Sequence, residues 1–323
     1  MTARSTRRSF AAKSGQSRLA AIGAIAVAGS LLLTGCGDQT KAKDKSEAGD
    51  DVKAAAPLAD KLPQAIRDKG EVKVGSDIAY APVEFKDKSG KTVGIDPDIA
   101  AAIGKQLGVK FTFENGTFDT LITGLRSKRY DVAMSAMTDT KDRQNGVDGD
   151  TGKKVGEGVD FVDYFNAGVS IYTLKGKTQS IATWDDLCGK KIVVQRGTVS
   201  HDLAKDQAKK CPSGEKLSVE AYDTDQQAQT RLRSGGADAG SADFPVAAYA
   251  VETSGGGKDF ELVGEQVEAA PYGIAVAKGN TELRDAIKAA LDAIIKNGEY
   301  AKIVAKWGVD GGAVKAAVVN GGK

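Results

Sequence analysis

The chain is poor in the residues from which most site chemistry is built. It has one histidine, His201, and three cysteines among 323 residues. No histidine pair, Cys-x-x-Cys or His-Glu-x-x-His run occurs, which removes the usual zinc frameworks. His201 itself reads as an ordinary surface helix residue. Two triplets, Gly90-Lys91-Thr92 and Gly176-Lys177-Thr178, suggest a phosphate loop, but Phe85 and Ile171 replace its leading glycine. Asp148-Gly149-Asp150 opens like a calcium loop, yet Lys153 and Val159 stand where Gly and Glu are required. There is no block of Lys and Arg with interleaved aromatics, so nucleic-acid binding has no support. No metal and no cofactor is expected. Long apolar runs are also missing: the longest, Leu19 to Leu33, spans 15 residues. A membrane-spanning helix needs roughly 20.

That run belongs to a leader. Arg4, Arg7, Arg8, Lys13 and Arg18 precede it, residues 1–35 contain no acid, and it ends in Leu33-Thr34-Gly35-Cys36. The layout is that of a secretory signal. A Cys at the cleavage point resembles the lipobox of bacterial lipoproteins, which implies that Cys36 becomes the lipidated first residue. A free Cys buried in a short anchor helix is the alternative. Thr6-Arg7-Arg8-Ser9-Phe10 also resembles a twin-arginine signal, although Ala11-Ala12 replace the usual Leu-Lys, so the export route stays open. Taking the five leader cations from 45 Lys+Arg leaves 40 against 43 Asp+Glu, a net charge of −3. Cys188 and Cys211 remain; an even pair in an exported chain reads as a disulfide, with two separate buried thiols as the alternative.

Residues 36–60 read as the lipidated Cys and a flexible tether, rich in Lys, Asp, Ala and Gly without periodicity. From Leu62 onward short β-rich runs alternate with helical patterns, the mark of α/β layering. Strands are expected at Val72–Gly75, Val109–Phe113, Val132–Met134, Lys191–Gln195, Leu217–Tyr222, Ala239–Ser241 and Tyr272–Ala277. A helix is expected over Pro97–Leu107 with Asp96 as its N-cap. Leu283, Ala286, Ile287, Ala290, Leu291, Ile294 and Ile295 recur at helical spacing until Asn297-Gly298. Another short helix carries Tyr300, Ile303, Val304 and Trp307. The Gly- and Ala-rich residues after Gly308 are expected to fray.

One pattern occurs twice. Leu125-Arg126-Ser127-Lys128-Arg129-Tyr130-Asp131 leads into Val132-Ala133-Met134 and Ser135-Ala136. Leu232-Arg233-Ser234-Gly235-Gly236-Ala237-Asp238 leads into Ala239-Gly240-Ser241 and Ala242-Asp243. Each is a helix end, a turn with an Asp and a short buried strand, so two similar lobes are indicated. In open α/β sheets ligands sit beyond the carboxyl ends of strands, which points to Ser135–Thr138 and to Ala242-Asp243.

Four stretches complete the picture: Asp77-Ile78-Ala79-Tyr80-Ala81-Pro82 followed by Gly94-Ile95-Asp96-Pro97-Asp98; Ser135-Ala136-Met137-Thr138-Asp139-Thr140-Lys141-Asp142-Arg143; Gln195-Arg196-Gly197-Thr198; and Ala237-Asp238 through Asp243-Phe244-Pro245. With Tyr272-Gly273-Ile274-Ala275 they resemble, in order and over about residues 62–308, the solute-binding proteins of polar-amino-acid ABC importers. The resemblance implies an α/β, two-lobed periplasmic-binding-protein type 2 fold with two hinge crossover strands, near Phe165–Val169 and Ala270–Ile274.

The chemistry of a free amino acid fits these residues. Arg143 can grip a carboxylate with its planar fork, aided by Thr138 and by the amides of Thr198 and Val199 at a helix start. Asp243 can take the ammonium, with Ser135, Ala136 and Thr138 lending oxygens. Tyr80 and Phe118 resemble the family's aromatic sandwich. Singly, Arg143 could be a solvated surface residue, Asp243 a helix cap and the two rings core aromatics; their joint order favours ligand contact. Gln195 and Ala242 stand where related binders often carry longer or charged groups, and Ala136 where Gly is common. Asp77, with Asp119 and Glu84, tilts the site acidic and favours a basic amino acid or glutamine, although Glu84 and Asp119 also read as structural. Residues 144–158 form a longer loop than usual.

The organisation expected is a signal peptide over 1–35, tether over 36–60, lobe 1 over 61–168 and 271–308, lobe 2 over 169–270, and a flexible tail over 309–323. The resemblance implies a monomer, exported and held by its lipid on the outer face of the cytoplasmic membrane. Its partners would be the amino acid and a membrane permease. It would bind without catalysis, the alternatives being a dehydratase-like enzyme on the same fold or an amino-acid sensor without transport.

Overall fold

The computed structural model describes residues 56–149, 151–177 and 180–323. The leader, Cys36 and the tether up to residue 55 lie outside the described residues. Ordered packing begins within the expected tether: Leu58 donates its amide to the Gln106 carbonyl at 3.0 Å, and Ala59–Lys61 makes a 3-10 turn.

Strands β1 (Glu71–Ser76), β4 (Lys110–Asn115) and β5 (Val132–Ala133) pair in parallel, with β1 in the middle. Strands β7 (Lys191–Gln195), β8 (Ser218–Tyr222) and β9 (Ala239–Asp243) do the same around β7. Two long strands join the triplets: β6 (Val159–Leu174) runs antiparallel to β9, and β10 (Phe260–Ala277) runs antiparallel to β5. These two also pair with each other, from Val159–Ala277 to Leu174–Phe260, with register shifts between Val263 and Val267, Val267 and Ala270, and Tyr272 and Gly273. The chain therefore crosses twice between two equivalent halves. A small hairpin, β2 (Phe85–Lys86) and β3 (Thr92–Val93), stands apart.

Helices cover both halves. α1 (Gln64–Lys69), α2 (Ile95–Leu107), α3 (Leu121–Arg126) and α4 (Lys141–Asn145) precede β6. α5 (Val199–Lys210), α6 (Asp225–Arg233) and α7 (Phe244–Thr253) lie between β7 and β10, and α8 (Thr281–Lys296) and α9 (Glu299–Lys306) follow it. The apolar stripe of α8 is buried as its period requires: Leu283, Ile287, Leu291 and Ile294 join Ile99, Ile103 and Leu107 of α2 in one core. A fully buried Leu or Ile contributes about 1.5–3 kcal/mol.

Two expectations are corrected. The residues after Gly308 do not fray: Ala313–Val319 forms β11, antiparallel to β6, and buries Ala317. Asp139 and Asp163 accept the Gly322 and Gly321 amides at 2.8 and 2.9 Å, and the Lys323 carbonyl accepts the Lys141 amide. The helix expected from Pro97 starts at Ile95, with Gly94 at the N-cap, so Asp96 lies inside the first turn and its carboxylate is used elsewhere. The structure joins Cys188 to Cys211, Cα–Cα 5.4 Å, tying the end of α5 to the turn before β7.

Candidate functional site

Each parallel strand delivers its following residues to the same edge. Tyr80 follows β1, Ser135 to Thr138 follow β5, and Gln195 to Val199 end β7 and open α5. Asp243 is the last residue of β9. Nine side chains line a small cavity with about 220 Å³ of empty space: Tyr80, Phe118, Ala136, Thr138 and Arg143 from before β6, and Gln195, Thr198, Val199 and Asp243 from after it.

Arg143 sits in α4, whose Thr140 cap accepts the Arg143 amide at 3.3 Å. Its Nη1 donates to the Thr138 carbonyl at 2.7 Å and its Nη2 to the Gly197 carbonyl of the other half at 3.0 Å. The guanidinium lies 5.2 Å above the centre of the Phe118 ring. Two of its five N–H groups are engaged, which leaves three for a carboxylate. Burial pulls its pKa down, against the pull of Asp202 and Asp243, and a guanidinium stays charged regardless. Thr198 caps α5: its hydroxyl accepts the His201 amide at 3.2 Å and donates to the Gln195 carbonyl at 2.8 Å. The open amides of the 12-residue α5 add positive potential on the same side.

Asp243 occupies the N-cap position of α7 but makes no side-chain capping bond. Its carboxylate is therefore not used to cap the helix, and Asp243 lines the cavity. Burial raises its pKa to about 6, opposed by the Tyr80 and Tyr272 phenols and by Arg143. The Tyr80 hydroxyl also accepts the Asp243 amide at 3.2 Å, joining the two halves.

Asp77 and Ser135 are not among the residues lining the cavity. The Asp77 carboxylate accepts from the Gln195 side-chain amide across the cleft, and burial raises its pKa to about 6. The Ser135 hydroxyl turns away, donating to Glu84 Oε1 at 2.6 Å, so its proton is not offered to the cavity. Of the two acids read as ambiguous, Glu84 is fully buried behind Ser135 and Asp119 is exposed. His201 is half-buried and accepts the Gly197 amide on Nδ1 at 3.3 Å, a tie to the binding loop that its surface reading missed. Sequence reasoning also missed Asp225, fully buried with its pKa raised to about 7 by desolvation. An acid at the first position of an exposed-looking helix carries no signal of burial.

A larger opening of about 720 Å³ lies beside the crossover strands, lined by Phe165, Phe244, Tyr249 and Trp307 among others. Glu252 is the one charged residue in its lining, so it lacks the paired charges that the smaller cavity has.

Residues 72–310 match the bacterial extracellular solute-binding proteins, family 3. The chain belongs to this family. It is 30% identical over 262 residues to the arginine-binding protein ArgT of Corynebacterium glutamicum, covering 80% of this chain and 81% of ArgT. Among solved structures, an ancestral arginine-binding protein bound to arginine is 39% identical with a TM-score of 0.66, covering 74% of this chain and 98% of that one. The structure of an ancestral arginine-binding protein bound to glutamine gives 39% and 0.65 over the same shares. These relatives are named as binding proteins, and family 3 members are extracellular. Among the described residues no helix is long and apolar enough to cross a membrane.

Proposed function

We propose that this protein captures a polar amino acid outside the cytoplasmic membrane, with basic amino acids and glutamine favoured. Its two lobes close on the ligand, and the closed form delivers it to an ABC permease. The observation that carries this reading is one cavity walled by a guanidinium from one half and a carboxylate from the other, with Tyr80 and Phe118 alongside. Arg143 and the α5 amides suit the ligand carboxylate, and Asp243 suits its ammonium. Asp77 and Gln195, bonded to each other, supply an acid and an amide for a nitrogen-bearing side chain. Arginine and glutamine, the ligands named for the similar ancestral structures, both carry one.

The reading includes the leader over 1–35, lipidation of Cys36, an oxidised Cys188–Cys211 pair and a monomer on the outer face of the cytoplasmic membrane. Lobe 1 takes 61–168 and the chain from 271 onward, and lobe 2 takes 169–270. Catalysis is not part of the reading: the cavity holds no histidine, and its polar groups suit recognition. The test is calorimetric titration of residues 37–323, unfolded and refolded first, against the standard amino acids. One saturable site for a polar amino acid, lost in Arg143→Ala or Asp243→Ala with the fold intact, is expected. Silence across the panel removes the amino-acid assignment. Tight glutamate binding without arginine, lysine, histidine or glutamine refutes the basic preference, and turnover of the bound compound would make the protein an enzyme.

A further inference from the structure

Behind the cavity wall lie two acids that no basic side chain neutralises. Glu84 and Asp96 are both fully buried. The groups acting on them are Ser135, Asp77, Tyr164, the Ala136 amide and each other, with no Lys or Arg among them. Asp96 accepts at both oxygens: Oδ1 from the Tyr164 hydroxyl at 2.7 Å and Oδ2 from the Ala136 amide at 3.1 Å. Glu84 Oε1 accepts the Ser135 hydroxyl at 2.6 Å, and that hydroxyl in turn accepts the Asp77 amide at 3.0 Å. Glu84 Oε2 is buried with no hydrogen-bond partner, and the Glu84 and Asp96 carboxyls act on each other.

Two carboxylates cannot both stay ionised in such a place. Asp96 is fully engaged as an acceptor, so it keeps the charge. Glu84 Oε2 is the one oxygen of the two carboxyls that receives no hydrogen bond, so it is the position for a proton. Ala136, whose amide Asp96 holds, adopts φ +46°, a left-handed conformation that an alanine enters only when its surroundings impose it. Ala136 and Thr138 line the cavity.

We propose that Glu84 and Asp96 form a buried acid pair sharing one proton, carried by Glu84, and that this pair is the positioning device that holds the Ser135–Thr138 turn in shape for the ligand ammonium. The pair ties together five segments: the stretch with Glu84, α2 with Asp96, the Ser135–Ala136 turn, the crossover strand β6 through Tyr164 and the end of β1 through the Ser135 hydroxyl. The proposal rests on the amino-acid reading only for the word ammonium; the proton and the turn are properties of the protein alone.

The test compares two isosteric variants. Glu84→Gln keeps an acceptor for Ser135 and a donor for Asp96, so affinity should stay within about threefold of wild type. Asp96→Asn loses an acceptor needed by the Ala136 amide or by Tyr164, and affinity should fall about tenfold or more. Two readouts need no ligand. Infrared spectra at neutral pH should show a protonated carboxyl C=O band in wild type that is absent in Glu84→Gln. Exchange of the Ala136 amide should stay slow in Glu84→Gln and quicken in Asp96→Asn. The proposal is overturned if the wild-type minus Glu84→Gln spectrum has no such band, or if Glu84→Gln speeds Ala136 exchange as much as Asp96→Asn. A wild type that binds no amino acid would sink the functional reading, while the band and the exchange rate would still decide the acid pair. Should Asp96→Asn fail to fold, the band alone decides.

Discussion

The turn after β5 and the end of β9 occupy equivalent places: each strand lies between a parallel neighbour and a long antiparallel crossover strand. Beyond that the two sites are built differently. β5 has two residues and gives way to an irregular turn with Ala136 at positive φ, so this turn offers backbone groups and the Thr138 hydroxyl. β9 runs five buried residues directly into α7, and this junction offers one carboxylate. The turn meets β10 through the Thr138–Tyr272 bridge and the bond from the Gly273 amide to the Met137 carbonyl, and Glu84 and Asp96 hold it from behind. A charge at a strand–helix junction is fixed by the elements on both sides, although Asp243 also meets the Tyr80 and Tyr272 phenols and Arg143 of the opposite half. Irregular walls need polar scaffolding; charges on regular elements need little.

The largest test removes the charges. Asp243→Ala and Arg143→Ala should each weaken amino-acid binding by about 30-fold or more in calorimetry, since truncating one member of a buried charge pair costs roughly 2–5 kcal/mol. Affinity within threefold of wild type in Asp243→Ala would deny the second half its assigned part. The next test leaves the site alone. Replacing Cys188 and Cys211 by Ser opens a loop of 23 residues and should cost roughly 3 kcal/mol in denaturant unfolding, with affinity unchanged. A large affinity loss at equal folded fraction would mean that the bridge shapes the cleft.

Titration should split binding from stability. The Asp243 carboxyl, held up at about 6 by burial, must be ionised to attract an ammonium, so affinity should fall as pH drops below about 6. Stability should move the other way. Asp77, Asp96 and Asp243 at about 6, and Asp163 and Asp225 at about 7, all bind protons more tightly folded than unfolded. Their favourable contribution is complete below the ordinary carboxylate value near 4 and is lost as pH rises through 6 and 7. The ligand-free protein should therefore melt higher at pH 5.5 than at pH 8, by roughly 2–4 °C for each kcal/mol. A flat or reversed profile would show these acids to be ionised and compensated.

The smallest test is a matched pair. Ala242→Gly loosens a strand and removes a buried methyl, and should cost about 1–2 kcal/mol in thermal unfolding. At Ala136 the loss of the methyl is offset by relief of the left-handed backbone, and Ala136→Gly should stay within about 1 kcal/mol of wild type. Equal losses at both positions would erase the contrast between the turn and the strand end.

What could be read from the residues alone depended on how local the signal was. The stripe of α8 repeats every three to four positions and was legible, as was the strand at Lys191–Gln195. Of the crossover strands, β6 is expected only over its middle, Phe165–Val169, and β10 only over its last part, Ala270–Ala277. β6 is buried on both faces and shows no alternation, and β10 is largely exposed over Glu265–Ala270, so neither carries a period of two. β11 reads as a loose tail because Ala and Gly are poor strand formers; its order comes from β6, and the Asp139 and Asp163 carboxylates fix the residues just after it. The motif order pointed to most of the cavity. It misdirected the Ser135 hydroxyl and made Asp96 a helix cap, because their true partners, Glu84 and Tyr164, lie 51 and 68 residues away.

The pairing of α8 with α2, and of β11 with β6, also sets a schedule. A chain synthesised from its N-terminus cannot complete the half it begins with until about residue 320 has emerged. β7, β8 and β9 with α5, α6 and α7 lie in one continuous stretch and close over shorter separations. One half of the molecule is thus free to fold early, while the other waits with the apolar face of α2 uncovered. Ile99, Ile103 and Leu107 are the side chains that a folding helper or a protease would meet during that interval.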